Sequence, residues 1–212
     1  MFTGELPRLA CPFAPFGAVE ADVGAAPWLE VPAHVLVETT TGNAPEQGTR
    51  VRVAWDHSDL RVLFEADDTE PWATLTARNA ALYTEEVVEV FIDPVGDRES
   101  YFEIEVNPLN AVLDLVLRRN RSGYTKEFAW DCEGLRTAVA RSKNGWVAEL
   151  AIPFTSITAT LPKPGERWRA NFLRIDRPMR KQRELSAWSP TGRPLFHVPE
   201  RFGWIEFAGG AV

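Results

Sequence analysis

Apolar residues recur at every second position in one short run after another along this chain, and Gly or Pro closes most of the runs. A two-residue period is that of an extended strand, whose side chains point alternately to opposite faces. The alternation is clearest at Phe102, Ile104 and Val106, which face one way, while Tyr101, Glu103, Glu105 and Asn107 face the other. That pattern predicts a half-buried strand with a solvated polar face. Similar runs occur at Val51-Val53-Trp55, Val62-Phe64-Ala66, Leu113-Leu115-Leu117, Leu135-Thr137-Val139 and Trp146-Ala148-Leu150-Ile152. Val87 to Ile92 and Trp168 to Ile175 are apolar on both faces for part of their length, which marks central strands of packed sheets, and 203–207 forms a closing strand. Turns at His57-Ser58 and Lys143-Asn144-Gly145 predict antiparallel neighbours on either side. Helical signal is limited to a turn or two within Thr69 to Leu82 and a short turn at Pro153 to Ile157.

The fold is therefore mostly β. With 212 residues, 45% of them hydrophobic, the chain can bury a sizeable core as one domain. The 16 Pro and 14 Gly are spread along the whole length, so no internal boundary stands out, and we read residues 1–19 as an extended lead-in to a domain over 20–208. A net charge of −7 provides no basic footprint for nucleic acid. The longest charge-free apolar stretch, Leu9 to Val19, is broken by Pro12, Pro15 and Gly17, so no membrane-spanning helix and no membrane partner is expected. The opening residues lack a basic segment followed by an apolar one, so the expected location is cytoplasmic. Cys11 and Cys132 lie far apart with no paired spacing and read as reduced buried thiols.

Few residues suggest catalysis. His34, His57 and His197 have no carboxylate, Ser or Cys at a triad or zinc spacing, which assigns them structural or surface roles. No glycine-rich loop is present to cradle a phosphate. Glu103 and Glu105 project about 6–7 Å apart from one strand face, a spacing compatible with glycosidase carboxylates. Two neighbours on one strand, however, cannot easily flank a sugar from both sides. Asp67-Asp68 and Asp93-x-x-x-Asp97 offer hard oxygen ligands, so a structural calcium stays open beside ordinary Asx-turn chemistry, and no other cofactor is expected. The 12 Phe, 8 Trp and 3 Tyr exceed what such a core needs. Aromatic faces stack on pyranose C–H surfaces, and carboxylates and amides read the hydroxyls.

Three stretches together resemble the family 9 carbohydrate-binding modules: Ala54 to Leu60 (Ala-Trp-Asp-His-Ser-Asp-Leu), Tyr83 through Glu86 to Asp93, and Phe196 through Phe202-Gly203. The most specific is the middle one, an aromatic residue followed six positions later by the Glu of Val-Glu-Val-Phe-Ile-Asp. The resemblance runs from about residue 20 to 208. It implies a single-domain antiparallel β-sandwich (CBM9/DOMON-like), here in stand-alone form. It also implies an aromatic clamp of Tyr83 and Phe196, with Glu89 in the sheet carboxylate position and Asn107 in the amide position. Tyr and Phe stand where the better-known modules carry two Trp, and Glu105 stands where they carry Arg. Arg174 is open to two readings, a donor restored to this face or a structural Arg–Glu pair, and Trp188 is read as core or as an extension of the aromatic platform.

The first reading is a non-catalytic domain holding a mono- or oligosaccharide between Tyr83 and Phe196, oriented by Glu89, Asn107 and Glu105. The alternatives are a sugar-active enzyme using Glu89, Glu103 and Glu105, and a protein-interaction scaffold.

Overall fold

The computed structural model describes residues 5–178 and 182–209. The first strands are β1 (Arg8–Pro12), β2 (Ala33–Val35), β3 (Val37–Glu38), β4 (Thr49–Trp55) and β5 (Asp59–Asp67). They are followed by β6 (Val87–Asp93), β7 (Ser100–Val106), β8 (Val112–Asn120), β9 (Gly123–Glu127) and β10 (Arg136–Ser142). The chain then forms β11 (Gly145–Pro153), one helical turn α1 (Phe154–Ile157), β12 (Arg167–Asp176), β13 (Glu184–Ala187) and β14 (Gly203–Ala208). Among the described residues no helix is long and apolar enough to cross a membrane.

The strands form two sheets. The larger runs β1-β14-β12-β6-β7-β8-β9, with β13 beside the second half of β12 and β3 beside β13. The smaller runs β10-β11-β5-β4-β2. Among the described residues the strands pair antiparallel except β1 with β14, which is parallel, as is the isolated bridge of Phe13 to Trp55. The two runs that are apolar on both faces, β6 and β12, are paired neighbours at the centre of the larger sheet, as their composition predicted. The turns at Ser58 and Asn144 join antiparallel partners.

Alternation assigns each side chain its layer. Val88, Val90 and Ile92 of β6 and Ile104 and Val106 of β7 meet Val51, Val53, Val62, Phe64, Trp146 and Leu150 of the smaller sheet, and this is the main core. Trp188 lies in that core, with its ring 5.7 Å from Phe172, and extends no platform. The free thiols of Cys11 and Cys132 are buried there as well.

The expected lead-in is partly sheet, since Arg8–Pro12 pairs along β14. The chain beyond it covers the outer face of the smaller sheet, where Ala21, Trp28 and Val31 pack on Ala54, Leu63 and Val147. Glu149 holds it there, accepting the backbone N–H groups of Glu20 and Ala21 at 3.0 and 2.9 Å and the Arg61 guanidinium at 2.6 Å.

The largest departure from expectation concerns β7. Its outward face is not solvated: Tyr101, Phe91, Leu113, Leu115 and Leu173 form a second apolar layer roofed by Leu82, Phe196 and Phe202. Strand alternation reports which side chains share a face. It does not report which distant loop comes to cover that face, and here the cover comes from the segment before β6 and the segment between β13 and β14.

Candidate functional site

Three carboxylic acids sit within this second layer. In the register of β6 on β7, Glu89 lies directly across from Glu105 and Phe91 across from Glu103, and Leu173 of β12 and Leu113 of β8 flank the pair. All three are buried, Glu105 completely, and their oxygens converge to within 4.8 Å of one another. Like charges placed opposite on adjacent strands repel. Burial therefore holds the Glu89 carboxyl well above its ordinary range, and the charge of Glu103 raises it further. Glu105 is raised by the same burial and by both neighbours. As carboxylates, neither oxygen of Glu105 nor Oε2 of Glu103 meets a donor among the described residues. A proton retained on Glu105 is shared toward Glu103.

The sign of the pH effect follows. A carboxyl raised in the folded state binds its proton more tightly than the unfolded chain does, so its contribution to stability is complete below about pH 4 and is lost as pH climbs. Glu105→Gln keeps the shape and the hydrogen bond of the protonated acid. It is expected to raise stability by about 1–2 kcal/mol at pH 8 and to change little at pH 4. Urea midpoints at the two pH values test this, and a loss at pH 8 would show that a charged Glu105 is satisfied by the fold.

The other polar groups come from elsewhere in the chain. Lys126, on the edge strand β9, brings its Nζ to 3.6 Å from Glu103 Oε1 and 5.3 Å from the centre of the Tyr83 ring. His197 stacks on Phe91, with centroids 5.3 Å apart and planes 10° from parallel. Its Nδ1 shares a hydrogen bond with the Tyr101 hydroxyl at 2.8 Å and lies 3.9 Å from Glu103 Oε2. Burial lowers the His197 pKa and so favours the neutral ring, opposed by the Glu103 charge.

Above these groups opens a cavity of about 170 Å³. Tyr83, 39% exposed, and Phe196 stand in its walls, Glu89 and Glu103 in its floor, and Lys126, Arg183 and His197 around them. At about 30 Å³ per water it holds on the order of six waters, the scale of one sugar ring. A larger depression of about 480 Å³ adjoins it and shares Arg183, Leu185 and Pro194.

The structure thus brings Tyr83, Glu89, Glu103 and Phe196 into one cavity. Glu105 lies on the same face beneath the floor. Asn107 shares the face but is committed locally: its Nδ2 donates to Leu75 O at 2.8 Å, and its Oδ1 accepts Leu109 N at 3.1 Å and Ala111 N at 2.9 Å. It closes the turn into β8 and does not line the cavity.

The reading of Arg174 as a donor to this face is corrected. Leu173 and Ile175 take the cleft side of β12, and Arg174 turns with Phe172 toward the sandwich interior. There it reaches Asp68 at 2.8 Å and Asp176 at 3.4 Å, and donates to Thr49 Oγ1 and to Asp67 O. The structural reading holds in kind, with aspartates in place of glutamate. Buried Glu86 completes that cluster, within 4.8 Å of both aspartates.

The four aspartates singled out as hard oxygen ligands have these partners in the structure. Asp93 accepts Gly96 N at 2.7 Å and Arg98 N at 3.0 Å, and Asp97 accepts Glu99 N at 2.8 Å. Asp67 lies 3.5 Å from the Arg50 guanidinium, and Asp68 is paired with Arg174.

Lys126, Arg183 and His197 were missed as site residues. His197 follows Phe196 inside a stretch already singled out, and that adjacency was the available signal. Lys126 and Arg183 carried none.

The family described as "Carbohydrate family 9 binding domain-like" matches residues 17–209. Exoglucanase XynX of Acetivibrio thermocellus is 29% identical over 107 residues, a stretch that is 50% of this chain and 9% of that protein. The chain therefore spans only about a tenth of that relative's length. A family 9 carbohydrate-binding module from Caldicellulosiruptor kristjanssonii, solved in complex with cellotriose, superposes with a TM-score of 0.75 at 18% identity, covering 97% of this chain and 95% of that one. The same module in complex with glucose gives 0.74 at 18% identity, with 97% of each chain covered. At this identity the likeness is one of fold, an antiparallel β-sandwich.

Proposed function

From the premise that this chain belongs to the carbohydrate family 9 binding domain-like family, we propose that it holds one end of a saccharide in the cleft between Tyr83 and Phe196 without altering it. The observation that carries this reading is the meeting of both aromatic side chains with Glu89, Glu103 and Lys126 around one ring-sized cavity. The partly exposed Tyr83 ring offers apolar contact to the C–H surface of a pyranose, and Phe196 lines the same cavity. Sugar hydroxyls both donate and accept, and the carboxyl groups of Glu89 and Glu103 that line the cavity can pair with them. The adjoining depression gives room for further residues of an oligosaccharide.

The three glutamates do not favour the hydrolase alternative. They rise together from one sheet face, whereas hydrolysis requires carboxyl groups on two sides of the scissile bond.

Glucose and cellotriose, the ligands of the module from Caldicellulosiruptor kristjanssonii, are the first to titrate. Calorimetry is expected to show saturable binding that Tyr83→Ala weakens by about tenfold or more. Tyr83 is partly exposed, so this variant retains the fold. Phe196→Ala is expected to lose binding too, but Phe196 belongs to the second core, so its folding must be checked alongside. Wild-type protein that binds no saccharide would overturn the reading.

A further inference from the structure

We propose that the saccharide taken by this cleft carries a protonated amine, whose ammonium displaces Lys126 from the place its Nζ holds between the Tyr83 ring and Glu103. The proposal rests on the saccharide reading above and narrows it to one ligand class, the amino sugars.

The cleft already accommodates an ammonium ion, its own. The Lys126 Nζ stands 5.3 Å from the Tyr83 ring centre and 3.6 Å from Glu103 Oε1. A π face and a carboxylate are the two groups that recognise a substituted ammonium. This ammonium is held by a side chain able to leave. Lys126 belongs to β9, the five-residue strand at the end of the larger sheet, and its side chain remains 32% exposed. Withdrawing it to solvent disturbs no core packing, because the four-carbon stem is flexible and the charge is readily hydrated.

The floor also has more acceptor capacity than Lys126 uses. Oε2 of Glu103 lacks a donor among the described residues, and Glu89, which also lines the cavity, adds a second carboxyl within 4.8 Å. His197 is a poor source of that cation, since its Nδ1 is engaged with the Tyr101 hydroxyl and burial lowers its pKa. Arg183 also lines the cavity, and its charge acts on Glu89. An ammonium on the ligand brings three N–H donors and a full charge to a floor short of both. A neutral sugar brings hydroxyl donors but no charge.

The test is calorimetric titration of the folded protein with glucose, glucosamine, galactosamine and N-acetylglucosamine, below about pH 7 where the sugar amine is protonated. N-acetylglucosamine keeps the nitrogen and removes its charge. In wild type, at least one of the two amino sugars is expected to bind about tenfold tighter than glucose and N-acetylglucosamine. In Lys126→Met, which removes the competing ammonium from an exposed strand, that preference is expected to widen with an unchanged melting temperature. If neither amino sugar binds better than glucose in either protein, the inference fails and the saccharide reading stands. A variant that loses affinity equally for charged and neutral sugars would also overturn the inference, because Lys126 would then be a ligand donor. If none of the four sugars binds and cellotriose does not either, both readings fail together.

Discussion

Arg174→Met is expected to remove about 3–5 kcal/mol of folding stability at neutral pH, the cost of leaving buried charge unpaired. The Arg174 side chain has no exposed surface and links Asp68 at 2.8 Å with Asp176 at 3.4 Å, while its other nitrogen donates to Thr49 Oγ1 and Asp67 O. Methionine fills similar volume and supplies no charge, so Asp68, Asp176 and Glu86 would face one another across 4.8 Å or less. Even with the arginine present, burial first and then Asp68 push the Glu86 carboxyl up to about 9. Asp176 is raised too, chiefly by burial, against the pull of Arg174.

Both folded values lie above those of an unfolded chain, so the native state holds the extra protons. Stability from these groups is complete below about pH 4 and declines as pH rises toward the folded value of Glu86, about 9. The variant should therefore lose least near pH 5 and most near pH 8, and Arg174→Met/Glu86→Gln should recover some of the alkaline loss. Urea unfolding at the two pH values decides this. A loss under about 1 kcal/mol at pH 8 would mean that the cluster is hydrated or otherwise compensated.

Gly203→Ala is expected to cost about 3 kcal/mol, and it acts by contact rather than charge. A Cβ at Gly203 would overlap Cζ3 and Cη2 of the Trp188 ring and stand 2.7 Å from Pro7 O. Neither neighbour yields easily. Trp188 is packed in the core against Phe172, and Pro7 O accepts the N–H of Trp204 at 2.9 Å where β14 meets the chain leading into β1. For a chain of this size the loss corresponds to a fall of roughly 6–12 °C in melting temperature. Trp188→Phe introduced beside Gly203→Ala should restore only a fraction, because the Pro7 carbonyl remains. A melting temperature within about 2 °C of wild type would show that the strand slides to make room.

The same two sites illustrate what the sequence conveys and what it withholds. Strand period is a local property, so β4 to β8, β10, β11, β12 and β14 were legible from alternation or from runs apolar on both faces. Where a run is apolar on both faces it carries no parity, which is why the side taken by Arg174 could not be read within Trp168 to Ile175. Glu103 and Glu105 looked like a solvated stripe because their roof, Leu82 and Phe196, is far away in sequence. The resemblance placed Tyr83, Glu89 and Phe196, three residues that do meet in one cavity. It could not convey that the Asn107 amide is consumed by its own turn, or that Lys126 reaches in from an edge strand. A short two-residue strand such as β3 and the parallel β1 left no periodic trace either.

The parallel pairing of β1 with β14 has a mechanical consequence. Arg8 lies beside Trp204 and Pro12 beside Ala208, so the backbone enters this strand pair at one end and leaves it at the other. Traction on the two flanking ends of the chain runs along the strands and loads every rung of the ladder at once, in shear. An antiparallel terminal pair would instead open rung by rung, like a zip. Held between a surface and a moving load, this domain is built to yield late and all together.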